Sequence, residues 1–268
     1  MVSERNRIIE LKKYLESIGI SVNIAKNKAR GNRGIFIRKS NVNRIDIAQN
    51  LSAQEELSAL VHEFAHHVHY KYDKTLKSLD FIFGNCDEAI LEELRNVTVE
   101  SIPKKFAESL FVQKEDAKNE IKSLVLQIKD EYPDFQPAVA YKKLENRLRC
   151  PVKYLLSYDK VRFFNKVYSV DILGECANNL LPNEINYIKL KSKQRLLRRI
   201  NSKISKLNSY YNNPSELFAR FMEMFMLNSK RTEELAPIAT SKFKLILKEG
   251  SIEELSEFNN IYSRNLNI

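Results

Sequence analysis

All four histidines of this 268-residue chain stand in one short run, His62-Glu63-Phe64-Ala65-His66-His67-Val68-His69. Inside the run is H-E-x-x-H, formed by His62, Glu63 and His66. A helix turns about 100° per residue, so residues four apart stack one turn apart on the same face. Two imidazoles placed that way can both reach one Zn²⁺ at roughly 2.0–2.1 Å. Glu63, one step round from His62, misses the ion but can reach a water beside it and act as general base. Zinc lowers the pKa of such a water toward about 7, where a carboxylate can take its proton.

A catalytic zinc keeps three protein ligands and one open position. The pattern with a third histidine, H-E-x-x-H-x-x-G-x-x-H, is not met, because His69 comes too early and no later histidine exists. The third ligand is therefore expected from a carboxylate or a cysteine. Glu216 offers one, in Asn213-Pro214-Ser215-Glu216-Leu217-Phe218-Ala219-Arg220. The pair Asp87 and Glu88 offers another, about twenty residues past His66. His67 turns toward the flank of the helix, as a structural or exposed residue. His69 shares the ligand face, either as a donor behind the ligands or as a cleft residue with no role. A developing oxyanion also needs an electrophile. Tyr210, Tyr211 and Arg220 lie close to Glu216 and could supply one. The plainer alternatives are that the tyrosines close a loop by packing and that Arg220 pairs with Glu216 or Glu223.

These residues need elements to hold them. Ser52 and Glu55 form a capping box that starts the motif helix, which is expected to run to about Tyr72. Leu57, Leu60, Val61, Phe64, Ala65 and Val68 gather on one side of it, and His62, His66 and His69 on the other, facing a cleft. Upstream, Ile8, Leu11, Leu15 and Ile18 recur at helical spacing, and Gly19 stands where that helix would stop. Strands are expected at 20–24, 34–38 and 44–48, the last with an edge that could hold an extended peptide. From Tyr72 to Leu207 nearly everything reads as helical. Asn212 to Ser215 forms a loop and cap that opens an apolar helix at 216–227. Ser251 and Glu254 suggest a second capping box. The fold class expected is α+β, predominantly helical, with a small N-terminal sheet before the motif helix. It divides into an N-terminal α/β part at 1–72, an inserted helical region at 73–207, and a C-terminal helical part at 208–268.

The stretch Leu60-Val61-His62-Glu63-Phe64-Ala65-His66-His67 resembles the active-site helix of the zincin metallopeptidases. The approach to it, Ile45-Asp46-Ile47-Ala48 and then Leu51-Ser52-Ala53-Gln54-Glu55-Glu56, is similar to the ImmA/IrrE-like metallopeptidases. Those proteins have a strand, a capped helix with H-E-x-x-H, and a distant glutamate in a pattern near E-x-x-A-x-x-F. Glu216 and Ala219 match that pattern here, while Phe221 stands one position early and Met222 takes the place of the phenylalanine. The Pro-x-Glu-Leu-Phe-Ala-Arg form also resembles zincin-like domains of phage and mobile-element polyproteins. The resemblance implies a zincin-like fold of the Glu-zincin branch. It further implies hydrolysis of a protein or peptide substrate, with His62, His66 and Glu216 on Zn²⁺ and Glu63 as general base. It covers about a third of the chain.

Composition sets the outer bounds. Forty-four Lys and Arg against 34 Asp and Glu give a net charge of +10, with 43% hydrophobic and 29% charged residues, as in a folded domain. Six Gly and seven Pro exclude collagen-like and low-complexity architectures. No apolar run is long enough for a membrane span, and the charged residues of 1–13 do not read as a secretory signal. Three scattered cysteines, Cys86, Cys150 and Cys176, read as reduced thiols. The expectation is a cytoplasmic protein that does not bind membranes. One rival reading remains. Lys189, Lys191, Lys193, Arg195, Arg198, Arg199, Lys203 and Lys206 crowd one segment, either as the solvated face of a helix or as a footprint for nucleic acid or an acidic protein. On that reading the chain is a catalytically silent zincin-like binding module.

Overall fold

Helical spacing at the N-terminus produces α1 (Glu4–Ser17), which buries Ile8, Leu11 and Leu15. Gly19 ends the helix at φ +80°, a left-handed conformation that costs glycine nothing, and its N–H donates back to the Glu16 carbonyl. Three strands follow, β1 (Ile20–Ala25), β2 (Gly34–Lys39) and β3 (Val42–Ala48). Their order is β1-β3-β2, with β1 parallel and β2 antiparallel to β3. The strand at 44–48 is therefore the middle one, with both edges paired, and it cannot take up a peptide at its edge. Alternation along a strand reveals its faces but not its neighbours. The open edges belong to β1 and β2.

The computed structural model describes residues 4–25, 33–39, 42–102, 104–131, 142, 145–176 and 179–263. The chain forms two compact units, Met1–Lys104 with Asn208–Ile268, and Lys105–Leu207.

In the first unit the sheet packs on α2 (Ala53–Tyr72). Ser52 caps this helix as expected. Its hydroxyl accepts from the Glu55 N–H at 3.3 Å, and the Glu55 carboxylate accepts from the Ser52 N–H at 3.0 Å. Leu57, Leu60, Val61, Phe64, Ala65 and Val68 are all fully buried, so the apolar stripe read from the sequence is the core face. Next come α3 (Asp80–Phe83) and α4 (Glu88–Ser101). They lie within 73–207 yet belong to this unit, because Phe83, Ile90, Leu94 and Val97 share one core with Phe218 and Phe221. The centre of that core is α8 (Pro214–Leu227), buried on nearly every side through Leu217, Phe218, Ala219, Phe221, Met222 and Phe225. Asn213 caps it by accepting from the Ser215 N–H, and Pro214 occupies the first turn, where its missing N–H costs nothing. The unit closes with α9 (Ser229–Leu235), α10 (Pro237–Glu249) and α11 (Glu253–Ser263). Glu254 does not send its carboxylate to Ser251. It accepts from the Tyr72 hydroxyl at 2.8 Å and pairs with Lys71, which ties α11 to the end of α2.

The second unit holds α5 (Lys104–Glu131) from its second residue on, a 3₁₀ turn (Val152–Leu156), α6 (Leu173–Cys176) and all but the last turn of α7 (Pro182–Tyr211). It also contains an antiparallel hairpin, β4 (Lys160–Phe163) with β5 (Lys166–Ser169). The hairpin departs from the all-helical expectation, since two alternations of four residues each are too short to stand out. Among the described residues, four of the eight cations in the basic segment pair with carboxylates: Lys191 with Glu145, Lys193 with Glu120, and Arg195 and Arg199 with Asp159. Cys86 and Cys150 are free thiols, and the side chain of Cys176 lies outside the described residues. No helix among the described residues is long and apolar enough to cross a membrane.

Candidate metal centre

α2 and α8 pack directly on each other, and the contact brings together three side chains from distant parts of the sequence. His62 Nε2 and His66 Nε2 stand 3.2 Å apart. Glu216, in the first turn of α8, places Oε2 at 3.4 Å from His62 Nε2 and Oε1 at 3.7 Å from His66 Nε2. Three atoms bound at roughly 2.0–2.1 Å to a tetrahedral ion lie about 3.3–3.4 Å from one another. The two glutamate distances run to different oxygens, and one atom from each residue lies within 4.8 Å of the others, so these three residues could hold a metal ion. Two further facts fit. Glu216 Oε2 is buried with no well-formed hydrogen bond and only the His62 ring before it at 3.4 Å, a place that a cation, whether protonated imidazole or metal ion, would satisfy. The donor set, two imidazoles and one carboxylate, is also the kind that open divalent sites use.

Both imidazoles are held from behind. The Ser215 hydroxyl meets His66 Nδ1 at 2.8 Å. Glu223 lies two turns beyond Glu216 on α8, with Oε2 at 3.3 Å from His62 Nδ1. Such partners fix which ring nitrogen carries the proton and which is left to ligate. Glu223 is itself pinned, accepting from the Ser58 hydroxyl at 2.5 Å and from Arg220 Nη1 at 2.7 Å. Arg220 Nε also donates to the Tyr210 hydroxyl. Burial pulls the Arg220 pKa down, but Glu223, Tyr210 and Glu216 outweigh it and hold it above the ordinary value. Burial likewise opposes charge on His62, yet Glu216 and Glu223 overcome it and lift its pKa to about 9. His66, buried and beside a charged His62, is pushed down to about 4. Glu216 and Glu223 would rise through burial, but His62 and their other partners keep both below the usual carboxylate range.

Glu63 is set apart from the three ligand atoms. Its Oε2 accepts from the Phe36 N–H of β2 at 2.7 Å. Burial raises its pKa above that of a free glutamate, which suits a group that must take up a proton near neutrality. Gly34, two residues before Phe36, makes room for it. A Cβ at that position would lie 2.9 Å from Glu63 Cγ and 3.1 Å from Oε1. His62, His66, Glu216, Glu63, Tyr210, Arg220 and Glu223 all line one cavity of about 880 Å³, with β2 along its wall.

No family model, no curated protein and no solved structure matches this chain.

The remaining expected residues divide clearly. Asp87 and Glu88 are elsewhere. Asp87 caps α4 by accepting from the Ile90 N–H, and Glu88 pairs with Arg95 at the surface. His69 is fully buried and does not line the cavity. It has the angular position of a ligand but sits two turns past His62, where it packs on Phe81 and Phe218 and bonds the Ser78 carbonyl at 2.8 Å. His67 is buried against Phe36 and Phe64. Tyr210 lines the cavity, whereas Tyr211 packs on the Tyr210 ring from outside the lining. Arg220 pairs with Glu223, one of the two partners expected for it. From the sequence, Ser215 is expected only in the loop and cap before the helix, Gly34 and Phe36 only within a strand, and Glu223 only as a partner of Arg220. Glu223 and Ser215 carried a signal, since both sit near Glu216 on a helix that also places Glu216 beside the histidines. Gly34 and Phe36 carried none, because their partner is 27 or more residues away in sequence.

Proposed function

We propose that the chain is a zinc-dependent peptidase of the Glu-zincin type, with His62, His66 and Glu216 as ligands and Glu63 as general base. The observation that carries this reading is the convergence of one atom each from His62, His66 and Glu216 within 4.8 Å of one another, with a separate, buried carboxylate beside them in one cavity. Mixed imidazole and carboxylate ligation favours zinc among the divalent ions. When bound, the ion would supply Lewis acidity, toward a water whose pKa it lowers and toward a peptide carbonyl.

The protein's own groups do the rest. Glu63, held by the Phe36 N–H, takes the proton of the attacking water and passes it to the leaving amine. Its raised pKa shortens the gap between those two tasks. Arg220 and Tyr210 stand on the cavity wall by Glu216, where a guanidinium and a phenol can stabilise negative charge on the former carbonyl oxygen. Ser215 and Glu223 keep the imidazoles turned for ligation. The free Cys86 and Cys150 are compatible with work in the cytoplasm.

The test is a Glu63→Gln variant. It should keep one zinc per chain by elemental analysis and lose about 10²–10⁴-fold in peptide hydrolysis, the share a positioned base contributes. Undiminished turnover in that variant would reject the mechanism.

A further inference from the structure

The face of β2 that looks toward α2 carries Gly34, Phe36 and Arg38 in alternation, and each meets a different level of the helix. Gly34 adjoins Glu63, the Phe36 ring packs on His67, and the Arg38 guanidinium lies 3.6 Å from the centre of the Tyr70 ring. All but His67 line the same cavity as the ligands. Tyr70 is four residues past His66, about 6 Å along the helix. Arg38 is two residues past Phe36, about 7 Å along the strand. Leu76, Ser101 and Ile102 also line this cavity.

Charge is distributed unevenly along this groove. The carboxylates cluster at the metal centre. At the other end of β2, Arg33 is paired with Glu55 at 3.6 Å. Arg38 has no carboxylate within ion-pair distance among the described residues, although it is exposed and its guanidinium is held in place. Stacking on a ring fixes the plane of a guanidinium and leaves its N–H edges free. That arrangement suits two-point binding of a carboxylate.

We propose that Arg38, stacked on Tyr70, is a subsite for an acidic side chain, Asp or Glu, two residues from the peptide bond that is cut. An extended peptide advances about 3.3 Å per residue, so a residue two places from the reacting carbonyl falls at the level of Arg38. This selectivity rests on the peptidase reading, but the binding of an acidic peptide can be measured without turnover.

The experiment has two arms. In the first, peptides with Asp, Glu, Ala or Lys at each position two residues from the scissile bond are compared by kcat/KM. The natural chain should favour the acidic residue by about 10–100-fold over Ala, the range expected for a charge-assisted, two-point contact. Arg38→Gln should flatten that ratio to within about threefold, and Arg38→Glu should turn the preference toward Lys. In the second arm, labelled acidic and neutral peptides are titrated onto zinc-loaded Glu63→Gln protein with Arg38 intact or replaced by Gln. Tighter binding of the acidic peptide, lost with Arg38, supports the subsite even if nothing is cleaved, and then only the peptidase reading falls. Equal affinity for the two peptides, or an acid preference that survives Arg38→Gln, overturns the subsite whether or not cleavage occurs. Tyr70→Leu, which removes the stacking partner and keeps the charge, should give an intermediate ratio.

Discussion

Replacing Gly34 by alanine tests whether β2 positions Glu63, the proposed general base. The added methyl carbon would lie 2.9 Å from Glu63 Cγ, 3.1 Å from Glu63 Oε1 and 3.3 Å from Ile47 Cδ1. Carbon atoms rest at about 3.5–4.0 Å, so Cγ has to retreat by about 0.6 Å or more. Glu63 has little freedom to do so. Its carboxylate is held by the Phe36 N–H at 2.7 Å, and its helix is anchored by the fully buried Val61, Phe64 and Ala65. Either the carboxylate swings out of place or β2, an edge strand, is pushed away. A displacement near 1 Å can cost about 10²-fold in rate, and overpacking of this kind costs about 1–3 kcal/mol in stability. Gly34→Ala should therefore lower kcat by about 30–100-fold while one zinc per chain stays bound. Urea unfolding should show the stability loss. Gly174→Ala is the control, because nothing lies within 4 Å of a Cβ there. If Gly34→Ala turned over within threefold of the parent and unfolded at the same urea concentration, Glu63 would not depend on this strand, and the positioning argument would fail.

Three further outcomes follow from the same geometry. Ser215→Ala removes the partner of His66 Nδ1 and should weaken zinc by about 10-fold or more, read by competition with a chromophoric chelator. His62 stays protonated up to about pH 9 in the metal-free chain and must give up that proton to ligate, whereas His66 is neutral above about pH 5. Zinc binding near pH 7.5 should then release about one proton, seen as a dependence of calorimetric heat on buffer ionisation enthalpy. Apparent affinity should climb about tenfold per pH unit and level off near pH 9; release of no proton would contradict the charged His62. His69→Gln should leave zinc affinity within about twofold yet lower stability by about 1–3 kcal/mol, since it disturbs a buried hydrogen-bonded ring away from the ion. A large loss of zinc in that variant would return His69 to the metal centre.

The legible parts of this molecule were those governed by local rules. The capping box at Ser52, the buried stripe of α2 and the i, i+4 placement of His62 and His66 all depend on residues within two turns of one another. Glu216 was singled out at longer range through the resemblance, in which Glu216 and Ala219 match a pattern near E-x-x-A-x-x-F; a helix start with an acidic first turn describes Asp87 and Glu88 equally well. Relations between elements were not legible. That β3 is the middle strand, that His69 lies under Phe81 and Phe218, and that Glu63 presses on Gly34 are consequences of how elements pack. The hairpin of β4 and β5 was hidden by brevity, with four residues in each strand set among long helices. Glu223 illustrates the boundary. Its identity and helix were plain, but its bond to His62 required knowing how α8 crosses α2.

Glu216, the third member of the candidate metal group, meets the histidines from about 150 residues downstream. During synthesis a ribosome must pass Glu216, and leave room for α8 to emerge, before the trio can assemble. Until then the nascent chain offers only a pair of imidazoles, a weak trap for any ion. Truncated translation products that end inside the second unit would carry the signature motif yet lack the means to load metal, so the order of synthesis itself delays arming of the centre. Once closed, the ion would clasp a very large loop. Its removal by a chelator should loosen the union of α2 and α8 before it disturbs either helix alone.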